Sequence, residues 1–586
     1  MFRLRRYLKG HYFECFLAPA FKGLEAILQL FVPLVMAQVI DVGIAQNDTA
    51  YILWHGAVLV GLGVFCYGIS VVAQYFSSKL AAQFGTALRD DLFHHVMTLP
   101  REDVDRLGRA SLITRITNDT QQTQDGLNLF FRLILRSPFV LVGTIVSAFI
   151  VDGAEGACLL VSTTAATAMI IAFMQVTNKR YRKIQQALDL VLLKVSENLE
   201  GARVLRAFRQ EASEKRNFAA AANDVRDLQV STGDISGLVN PLTYAVVNCG
   251  LIALLWNGGL QIDAGHLTQG QLVALVSYVS QALVELLKLT MLINMISKAS
   301  ACARRINEVF DTKPSQVNGT LEACVDGEKA AGGARAAAPA AVRFDDVSFV
   351  YPQGSKESLS HISFSLGRGQ TLGIIGGTGS GKTTLAALLM RFYDATSGAV
   401  YVGGNNVRDL DVQSLRREVS IVEQNPQLFS GTIASNLRWG DAAATDENLM
   451  AAVACAQATD VVAAKPEGLA SGVEQFGRNF SGGQRQRLAI ARTLARKPAV
   501  LILDDASSAL DFATDAALRR AIRREMSDAC VITISQRVTA VKGCDQVLVL
   551  DGGREVGLGT HEELLANCEV YREICDSQLS REEATR

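Results

Sequence analysis

The sequence predicts two parts in one chain: an all-α membrane domain with six spanning helices, followed by a soluble α/β domain. Hydrophobic residues make up 49% and charged residues only 20% of the 586 residues, whereas soluble domains average about 25% charged residues. The long apolar runs lie in the first half of the chain. The second half contains a strand pattern, a glycine-rich loop and a helix pattern in direct succession, which is typical of a phosphate-binding α/β domain.

Six apolar runs are long enough for spanning helices, each of which needs about 20 mostly apolar residues. The four middle runs contain few charges or none, whereas the first and the last contain several. The predicted spans are Phe13 to Ile44, Tyr51 to Phe76, Leu133 to Val151, Ala157 to Val176, Leu242 to Ile262 and Leu272 to Ile296.

Charged side chains occur inside the first and the last span. Such residues usually face protein or a water-filled cavity, and they are candidates for function. Glu285 and Lys288 lie three positions apart, so they share one helix face. A functional role and a plain ion pair between helices both remain open for this pair, and the same holds for Lys22 and Glu25.

The distribution of Lys and Arg predicts the orientation of the spans. The short connections after the first, third and fifth spans contain neither residue, whereas the N-terminal segment and the long connections at residues 77–132 and 178–240 contain many. Because Lys and Arg accumulate on the cytoplasmic side, both termini should be cytoplasmic. The long connections have a helical pattern, so we expect extended helices that touch another domain near residues 108–119 and 208–218; solvated loops without a partner are the alternative.

An alanine- and glycine-rich run without hydrophobic periodicity, EKAAGGARAAAPAA, separates the two halves and is typical of a linker. We therefore divide the chain into a membrane domain at residues 1–310, a linker at residues 311–341 and a nucleotide-binding domain at residues 342–586. The net charge of −1 gives no indication of a nucleic-acid partner. None of the 11 cysteines forms a CxxC pair, and we expect buried, reduced thiols.

The segment TLGIIGGTGSGKTT fits the pattern G-x-x-x-x-G-K-[ST] in the strand, loop and helix context that this pattern requires. Glycines let backbone N–H groups approach phosphates, and the helix N-terminus favours an anion. Lys382 should reach the β- and γ-phosphates, and the Thr383 hydroxyl should ligate Mg²⁺. The loop residues are Gly376, Gly377, Thr378, Gly379, Ser380 and Gly381.

Two further motifs follow. The apolar run AVLIL predicts a strand that ends at Asp504, where a carboxylate beside the phosphate loop is suited to Mg²⁺. The run FSGGQRQR places Ser481, Gly482 and Gly483 at a helix N-terminus, which predicts a second anion site that a different chain would complete. A simple helix cap would account for Ser481 but not for the two glycines together with Gln484.

These motifs resemble the ATP-binding cassette (ABC) ATPases, on the residues FSGGQ, a strand ending in LILDD and the run ASSALD that follows it. Six spans before such a cassette on one chain resemble the exporter half-transporters. The resemblance implies ATP and Mg²⁺ as cofactors and a pair of cassettes that encloses two ATP molecules. Each ATP would be held between the phosphate loop of one chain and FSGGQ of the other.

The resemblance also implies roles for single residues. Tyr351 would stack on the adenine ring, with a core aromatic as the alternative. Gln424 would sense Mg²⁺ and the γ-phosphate and relay the nucleotide state to the membrane helices, and Asp511 would lie in a loop that crosses the cassette interface. The residues expected to bind nucleotide are Tyr351, Gly376, Thr378, Gly379, Ser380, Gly381, Lys382, Thr383, Thr384, Gln424, Ser481, Gly482, Gly483, Gln484, Asp504 and Asp511, with Thr383, Gln424 and Asp504 as Mg²⁺ ligands.

Two positions depart from the family pattern. Asp505 replaces a glutamate that polarises the attacking water; its carboxylate should fall about 1.5 Å short, and misplacement of that size can cost about a hundredfold in rate. Gln536 replaces a histidine, and a neutral amide cannot carry a positive charge to the γ-phosphate. FSGGQ is intact. The pattern resembles the degenerate subunit of heterodimeric multidrug-type exporters, in which Asp505, Gln536 and Gln424 would form a slow catalytic set.

We therefore expect one subunit of a heterodimeric ATP-driven exporter in the bacterial inner membrane. Its partners would be a second, non-identical half-transporter, membrane lipid and a small-molecule or lipid-like substrate taken from the cytosol or inner leaflet. A homodimeric exporter and a nucleotide-gated regulatory membrane protein are the alternatives. The motifs do not identify the substrate.

Overall fold

The computed structural model describes residues 2–325, 340–352 and 354–578. The chain divides into two compact units. The membrane unit comprises Met1–Met97 and Ala110–Asp311, and the cassette unit comprises Thr98–Arg109 and Thr312–Arg586.

The described residues contain six helical stretches that are long and apolar enough to cross a membrane, which confirms the predicted number of spans. These stretches are Tyr12–Ile44, Thr49–Thr98, Arg109–Val151, Gly153–Glu200, Glu211–Asp263 and Gln269–Asp311. The α-helices within this part of the chain are α1 Tyr12–Gln38, α2 Thr49–Thr98, α3 Arg101–Leu107, α4 Arg109–Thr114, α5 Thr120–Leu133, α6 Arg136–Val151, α7 Gly153–Glu200, α8 Ala202–Ala207, α9 Glu211–Gly237, α10 Val239–Asp263 and α11 Gln269–Asp311.

Small residues bring the spanning helices close together, as is usual in membranes. A Cβ atom at Gly126 of α5 would lie 2.3 Å from the Cβ of Ala299 in α11, and one at Gly250 of α10 would lie 2.5 Å from the Cβ of Ser162 in α7. Helix α7 begins at a cap in which the Asp152 carboxylate accepts hydrogen bonds from two backbone N–H groups.

The first long connection between the spans is divided between the two units. Residues 98–109, which include α3, belong to the cassette unit, whereas residues 110–119 belong to the membrane unit. Asp119 binds Arg305 of α11 through two hydrogen bonds of 2.5 and 2.8 Å, which hold the later residues to the spanning helices. The second predicted contact, residues 208–218, lies in the membrane unit, and Phe208 there is exposed.

A mixed sheet of ten strands forms the described centre of the cassette unit, in the order β5-β4-β1-β2-β12-β11-β3-β10-β9-β6. The strands are β1 Val342–Val350, β2 Glu357–Leu366, β3 Thr371–Gly376, β4 Ser397–Val402, β5 Asn405–Asn406, β6 Val419–Val422, β7 Gly431–Thr432, β8 Gly472–Val473, β9 Val500–Asp504, β10 Cys530–Ile534, β11 Gln546–Asp551 and β12 Arg554–Gly559. The helices are α12 Lys382–Leu389, α13 Val412–Glu418, α14 Ile433–Leu437, α15 Asp446–Cys455, α16 Thr459–Ala463, α17 Gly482–Ala495, α18 Phe512–Glu525, α19 Val538–Val541, α20 His561–Asn567 and α21 Glu569–Gln578.

The parallel part of this sheet positions the candidate site. Strand β10 pairs in parallel with β3 on one side and with β9 on the other, with Ile534 level with Ile374 and Asp504. Ligands of open α/β sheets bind beyond the carboxyl ends of such strands. The phosphate loop after β3, Asp504 at the end of β9 and the loop after β10 therefore meet at one edge.

Part of the predicted linker has a defined structure. The backbone N–H groups of Thr320 and Leu321 donate to the carbonyl of Asp409 at 3.1 and 3.0 Å, and Val325 is buried in a core cluster of the cassette unit. Arg391 donates to the carbonyl of Val317 at 2.8 Å. Residues 317–325 thus pack on the cassette, while residues 326–339 of the predicted linker lie outside the described residues.

Candidate nucleotide site

The phosphate loop joins β3 to α12 through backbone geometry that requires glycine. Gly379 and Gly381 have positive φ values of 81° and 95°, a region that disfavours other residues. A Cβ atom at Gly376 would lie 2.1 Å from the carbonyl oxygen of Leu550, and one at Gly381 would lie 2.7 Å from that of Ser358. Gly376 and Gly381 therefore also allow the loop to pack closely against β11 and β2.

Lys382 lies at the start of α12, with its ammonium group folded back onto the loop. Its Nζ donates to the carbonyl oxygens of Gly376 at 2.9 Å and Gly377 at 2.7 Å. Burial lowers the pKa of this lysine, and the nearby carboxylates of Asp504 and Asp505 offset the desolvation of its charge only in part. An anion beside Nζ would supply the missing negative charge, which fits the phosphate role predicted for Lys382.

Thr383 and Asp504 lie side by side. The Thr383 hydroxyl donates to the Asp504 carboxylate at 3.3 Å, and Asp504 is only 4% exposed. Burial raises the pKa of Asp504, and the adjacent Asp505 carboxylate acts in the same direction. Hydroxyl and carboxylate oxygens are ligands that Mg²⁺ prefers, so these donors fit a Mg²⁺ ion, which would compensate the buried charge.

Asp505 follows in an unusual backbone conformation. Its φ is +46°, which a short polar side chain such as aspartate tolerates better than most. Its N–H donates to the carbonyl of Ile534 at 2.9 Å, and its carboxylate accepts a hydrogen bond from Gln424 Nε2 at 3.3 Å. Asp505 and Gln424, predicted from separate motifs, are thus in direct contact.

One cavity of about 390 Å³ gathers most of the predicted nucleotide-binding residues. Tyr351 lies at this cavity, where its hydroxyl is 3.1 Å from Thr384 Oγ1 and its ring packs edge-on against Phe349 and Tyr393. The predicted residues that line the cavity are Tyr351, Thr378, Gly379, Ser380, Gly381, Lys382, Thr383, Thr384, Gln424, Asp504, Asp505 and Gln536.

Three further residues that were not predicted also line the cavity, namely Ser358, Ile534 and Ser535. Ser535 is adjacent to Gln536 in the run VITISQRVTAV, so the motif that predicted Gln536 could also have predicted Ser535. Ser358 lies on β2, outside every motif, and only the folded chain brings it to the phosphate loop.

The FSGGQ residues lie outside this cavity, at the start of α17. The Ser481 side chain accepts from the N–H of Gln484, whose side chain accepts from the N–H of Ser481 at 2.9 Å, which is a capping box. The expectation that a cap would not explain Gln484 is therefore wrong. A Cβ atom at Gly483 would lie 2.9 Å from the carbonyl oxygen of Ala509, whereas at Gly482 the nearest atom, the Ala509 Cβ, is 4.0 Å away. Packing among the described residues requires a glycine at Gly483 but not at Gly482.

Asp511 caps the next helix in the same way. Its carboxylate accepts from the N–H and the hydroxyl of Thr514, both at 2.9 Å. These hydrogen bonds lower the pKa of Asp511. The side chain is outside the cavity and exposed, so it remains accessible to another chain.

Helix α3 borders a second cavity of about 240 Å³ that shares Tyr351, Thr383, Gln424 and Asp504 with the first. Tyr393 donates to the Asp105 carboxylate at 2.9 Å; burial and this contact raise the pKa of Tyr393 to about 12. The Arg101 guanidinium lies 5.4 Å from the ring centre of Phe392. Helix α3 thus contributes to the same cavity as Gln424.

The chain matches two known families along its length. Residues 16–286 match the ABC transporter transmembrane region, and residues 359–508 match the family described as ABC transporter. An uncharacterized ABC transporter ATP-binding protein of Mycobacterium tuberculosis is 38% identical over 564 residues, with 94% of each chain covered. An ATP-dependent lipid A-core flippase of Haemophilus ducreyi is 29% identical over 568 residues, covering 95% of this chain and 94% of the flippase.

A solved structure of a bacterial Atm1-family ABC exporter with ATP bound is similar throughout, with a TM-score of 0.77, 25% sequence identity and 99% of both chains covered. The predicted fold class, six apolar helices followed by an α/β cassette, is confirmed by this likeness and by both family matches. The chain therefore belongs to the ABC transporter family, as an exporter half-transporter that carries its membrane domain and its ATP-binding cassette on one polypeptide.

Proposed function

We propose that this chain is the degenerate-site subunit of a heterodimeric, ATP-driven exporter. The observation that carries the proposal is the combination of Asp505 and Gln536 in a cavity whose phosphate loop is complete. A decayed cassette would be expected to have lost its motifs at random, but FSGGQ retains every residue and the loop retains its glycines. The losses affect only the two positions that act on the attacking water and the γ-phosphate.

The residues of the site suit nucleotide binding. Bound MgATP would supply the triphosphate charge and the cation that the site itself lacks. Lys382 and the loop N–H groups would hold the phosphates, Thr383 and Asp504 would hold Mg²⁺, and Tyr351 would cover the adenine. Tight binding at this site is therefore part of the proposal.

The same residues predict slow hydrolysis at this site. Asp505 shares its carboxylate with the Gln424 amide at 3.3 Å, and it has one methylene fewer than the glutamate of the family pattern, so its reach toward a water on the γ-phosphate is shorter. Gln536 offers an uncharged amide where a cationic group would stabilise the developing charge. Neither change impairs binding of the ground-state nucleotide.

The intact FSGGQ would serve the competent site of a second, non-identical half-transporter. ATP would close the two cassettes through contacts across their interface, and hydrolysis at the partner's site would reopen them. We place the chain in a bacterial inner membrane with both termini cytoplasmic. We further propose a lipid-like or small-molecule substrate, in keeping with the relationship to a lipid A-core flippase.

Purification of this chain alone in lipid nanodiscs tests the proposal. We expect it to bind a fluorescent ATP analogue but to hydrolyse ATP slowly, and we expect the double variant Asp505→Glu with Gln536→His to hydrolyse at least about tenfold faster, since each change restores a group with a typical effect of that size or more. Lys382→Ala is the control for binding. Brisk hydrolysis by the wild-type chain alone would instead support a homodimeric exporter.

A further inference from the structure

The segment that follows α11 contacts helix α3, and we call its residues 312–325 the strap. Both α3 and the strap belong to the cassette unit. The backbone N–H of Ser315 donates to the Asp103 carboxylate at 2.7 Å, and the Ser315 hydroxyl donates to the Glu102 carboxylate at 3.3 Å. The start of the strap is therefore bonded to two acidic side chains of α3.

Asp103 is the central residue of this contact, because it is fully enclosed, with 0% of its surface exposed. One of its carboxylate oxygens accepts from the Ser315 N–H at 2.7 Å, and the other accepts from the Arg106 guanidinium at 2.8 Å. Burial of a carboxylate is costly unless its oxygens are paired and hydrogen-bonded. Loss of the Ser315 N–H would therefore leave one enclosed oxygen of Asp103 without the donor that the structure provides.

Further hydrogen bonds fix the strap to the start of α13. The Asn318 amide donates to the Asp411 carboxylate at 2.7 Å, and the Asn318 side-chain oxygen accepts from the N–H of Val412 at 2.9 Å. The N–H of Ala323 donates to the Ser414 hydroxyl at 2.5 Å. The strap therefore holds α3 to a fixed element of the same cassette.

A second contact holds α3 to the cassette independently of the strap. The Asp105 carboxylate accepts from the Tyr393 hydroxyl at 2.9 Å. A short helix can pivot about one hydrogen bond, whereas two contacts, at Asp103 and at Asp105, fix its orientation. Arg101 at the start of α3 lines the cavity that Gln424 also lines. The strap thus helps to set the position of Arg101 at that cavity.

The two segments that Asp103 and Ser315 join lead directly into two spanning helices. Helix α2 ends at Thr98, just before α3, and α11 ends at Asp311, just before Ser315. Within the membrane unit the last turns of these two helices are also bonded to each other, because His95 Nε2 lies 3.0 Å from the carbonyl oxygen of Val309. The chain segments at the ends of α2 and α11 are thus joined twice, once in each unit.

We propose that Asp103 and Ser315 form a clasp that holds α3 on its own cassette, and that Asp103 is a positioning residue for the ATP-driven cycle. The clasp keeps Arg101 at the cavity of Gln424. It also makes α2 and α11 follow the cassette as a pair, since rigid connections pass on the movement of a domain. The assignment goes beyond the proposed function, because it holds whether the partner chain is identical or different.

Hydrogen exchange of the full chain in lipid nanodiscs, measured by mass spectrometry, tests the clasp. Ser315→Pro removes the N–H donor, Asp103→Ala removes the acceptor, and Ser315→Ala is the matched control because it keeps the N–H. We expect exchange in α3 to be at least about tenfold faster in the first two variants, the usual size for a hydrogen bond to a charged group, and unchanged in Ser315→Ala. The double variant Ser315→Pro with Asp103→Ala should be no faster than either single variant, because both remove the same bond. Exchange in β3, β9 and β10 should stay at the wild-type rate in every variant.

ATP turnover of the transporter assembled with its partner separates positioning from a loss of stability. We expect Asp103→Ala and Ser315→Pro to lower the maximal turnover at least about fivefold, with the KM for ATP, the binding of a fluorescent ATP analogue and the melting temperature unchanged. Ser315→Ala should turn over ATP as the wild type does. Wild-type exchange in α3 of both Ser315→Pro and Asp103→Ala would overturn the clasp, and unchanged turnover despite faster exchange would overturn the positioning role.

Discussion

At the scale of single residues, the candidate site depends on backbone positions as much as on reactive side chains. Lys382, Thr383 and Asp504 were predictable because each is identified by residue type within a motif. The sequence did not show why residues 376 and 483 must be glycine. In the folded chain Gly376 lies against the carbonyl oxygen of Leu550, and Gly483 lies against that of Ala509. The spacing of residues within a motif does not identify these neighbours.

The contact of Gly376 leads to a prediction with a close control. We expect Gly376→Ala to lower the free energy of unfolding by about 1–3 kcal/mol, the usual cost of overpacking, because the new Cβ would lie 2.1 Å from the Leu550 carbonyl oxygen. Gly377→Ala introduces the same methyl group where no atom of the described part of the chain lies within 4 Å, so it should be nearly neutral. Thermal unfolding of both variants without nucleotide checks this; equal melting temperatures would contradict it.

Asp504 leads to a prediction about pH. Burial raises its pKa in the folded chain, so between the unfolded and folded pKa values the folded state holds the extra proton, and stability falls as pH rises through that window. Above it, the ionised carboxylate destabilises the nucleotide-free chain. We expect Asp504→Asn to raise the melting temperature at pH 7.5 by about 2–4 °C, which corresponds to about 1 kcal/mol, while weakening Mg²⁺-dependent ATP binding.

The gain from Asp504→Asn should shrink at pH 5, where more of the wild-type carboxyl is protonated. Asp511→Asn is the control, because Asp511 is an exposed helix cap and asparagine caps a helix about as well as aspartate. Its melting temperature should therefore stay close to that of the wild type. A lower melting temperature for Asp504→Asn at both pH values would contradict the assignment of an uncompensated buried carboxylate.

At the scale of elements, the hydrophobic pattern predicted the strands whose own residues carry an apolar run. The predicted strand at residues 371–375 is β3, Thr371–Gly376, and the run at residues 499–503 is β9, Val500–Asp504. The pattern did not predict the packing of residues 317–325 on the cassette or the place of α3, since both depend on partners far along the chain, such as Asp409 and Tyr393. Contacts with such distant partners can order a segment of low hydrophobicity whose sequence shows no hydrophobic periodicity.

The C-terminal helix α21 supports the loop that contains Gln536. The Gln578 side chain donates to the carbonyl of Gln536 at 2.8 Å and accepts from the N–H of Val538 at 3.0 Å. Tyr571 and Cys575, both buried, fix the helix against α19 and the sheet. Gln578 is therefore a positioning residue for the Gln536 loop.

We expect Gln578→Ala to speed the release of a fluorescent ATP analogue several-fold, because two hydrogen bonds of about 0.5–1.5 kcal/mol each are lost. Gln578→Glu keeps the acceptor for Val538 and loses the donor for Gln536, so its release rate should be intermediate. Glu573→Ala, on an exposed side of the same helix, is the control. Stopped-flow dissociation measures the rates, and identical rates for Gln578→Ala and Glu573→Ala would rule out the positioning role.

At the scale of the whole molecule, the two nucleotide-related motifs of one chain lie in different places. The phosphate loop, Asp505 and Gln536 share a cavity, whereas Ser481 caps α17 outside that cavity. Among the described residues, Gly482 has no close neighbour that requires a glycine. This separation is what a chain needs if its own loop holds one ATP and its FSGGQ covers another, held by a second chain.

The separation predicts unequal effects of two substitutions in the assembled transporter, purified from cells that also express the partner half-transporter. Asp505→Asn should lower ATP turnover by about twofold at most, since the competent site would set the rate. Ser481→Ala should lower it at least about tenfold, because under the proposed function the Ser481 hydroxyl donates to the nucleotide of the competent site. Steady-state ATPase assays measure both, and thermal unfolding checks that the cassette still folds after Ser481→Ala has removed the side chain that caps α17. In a homodimer both residues would belong to every site, so a comparable loss from the two substitutions would contradict the division of labour between two different chains.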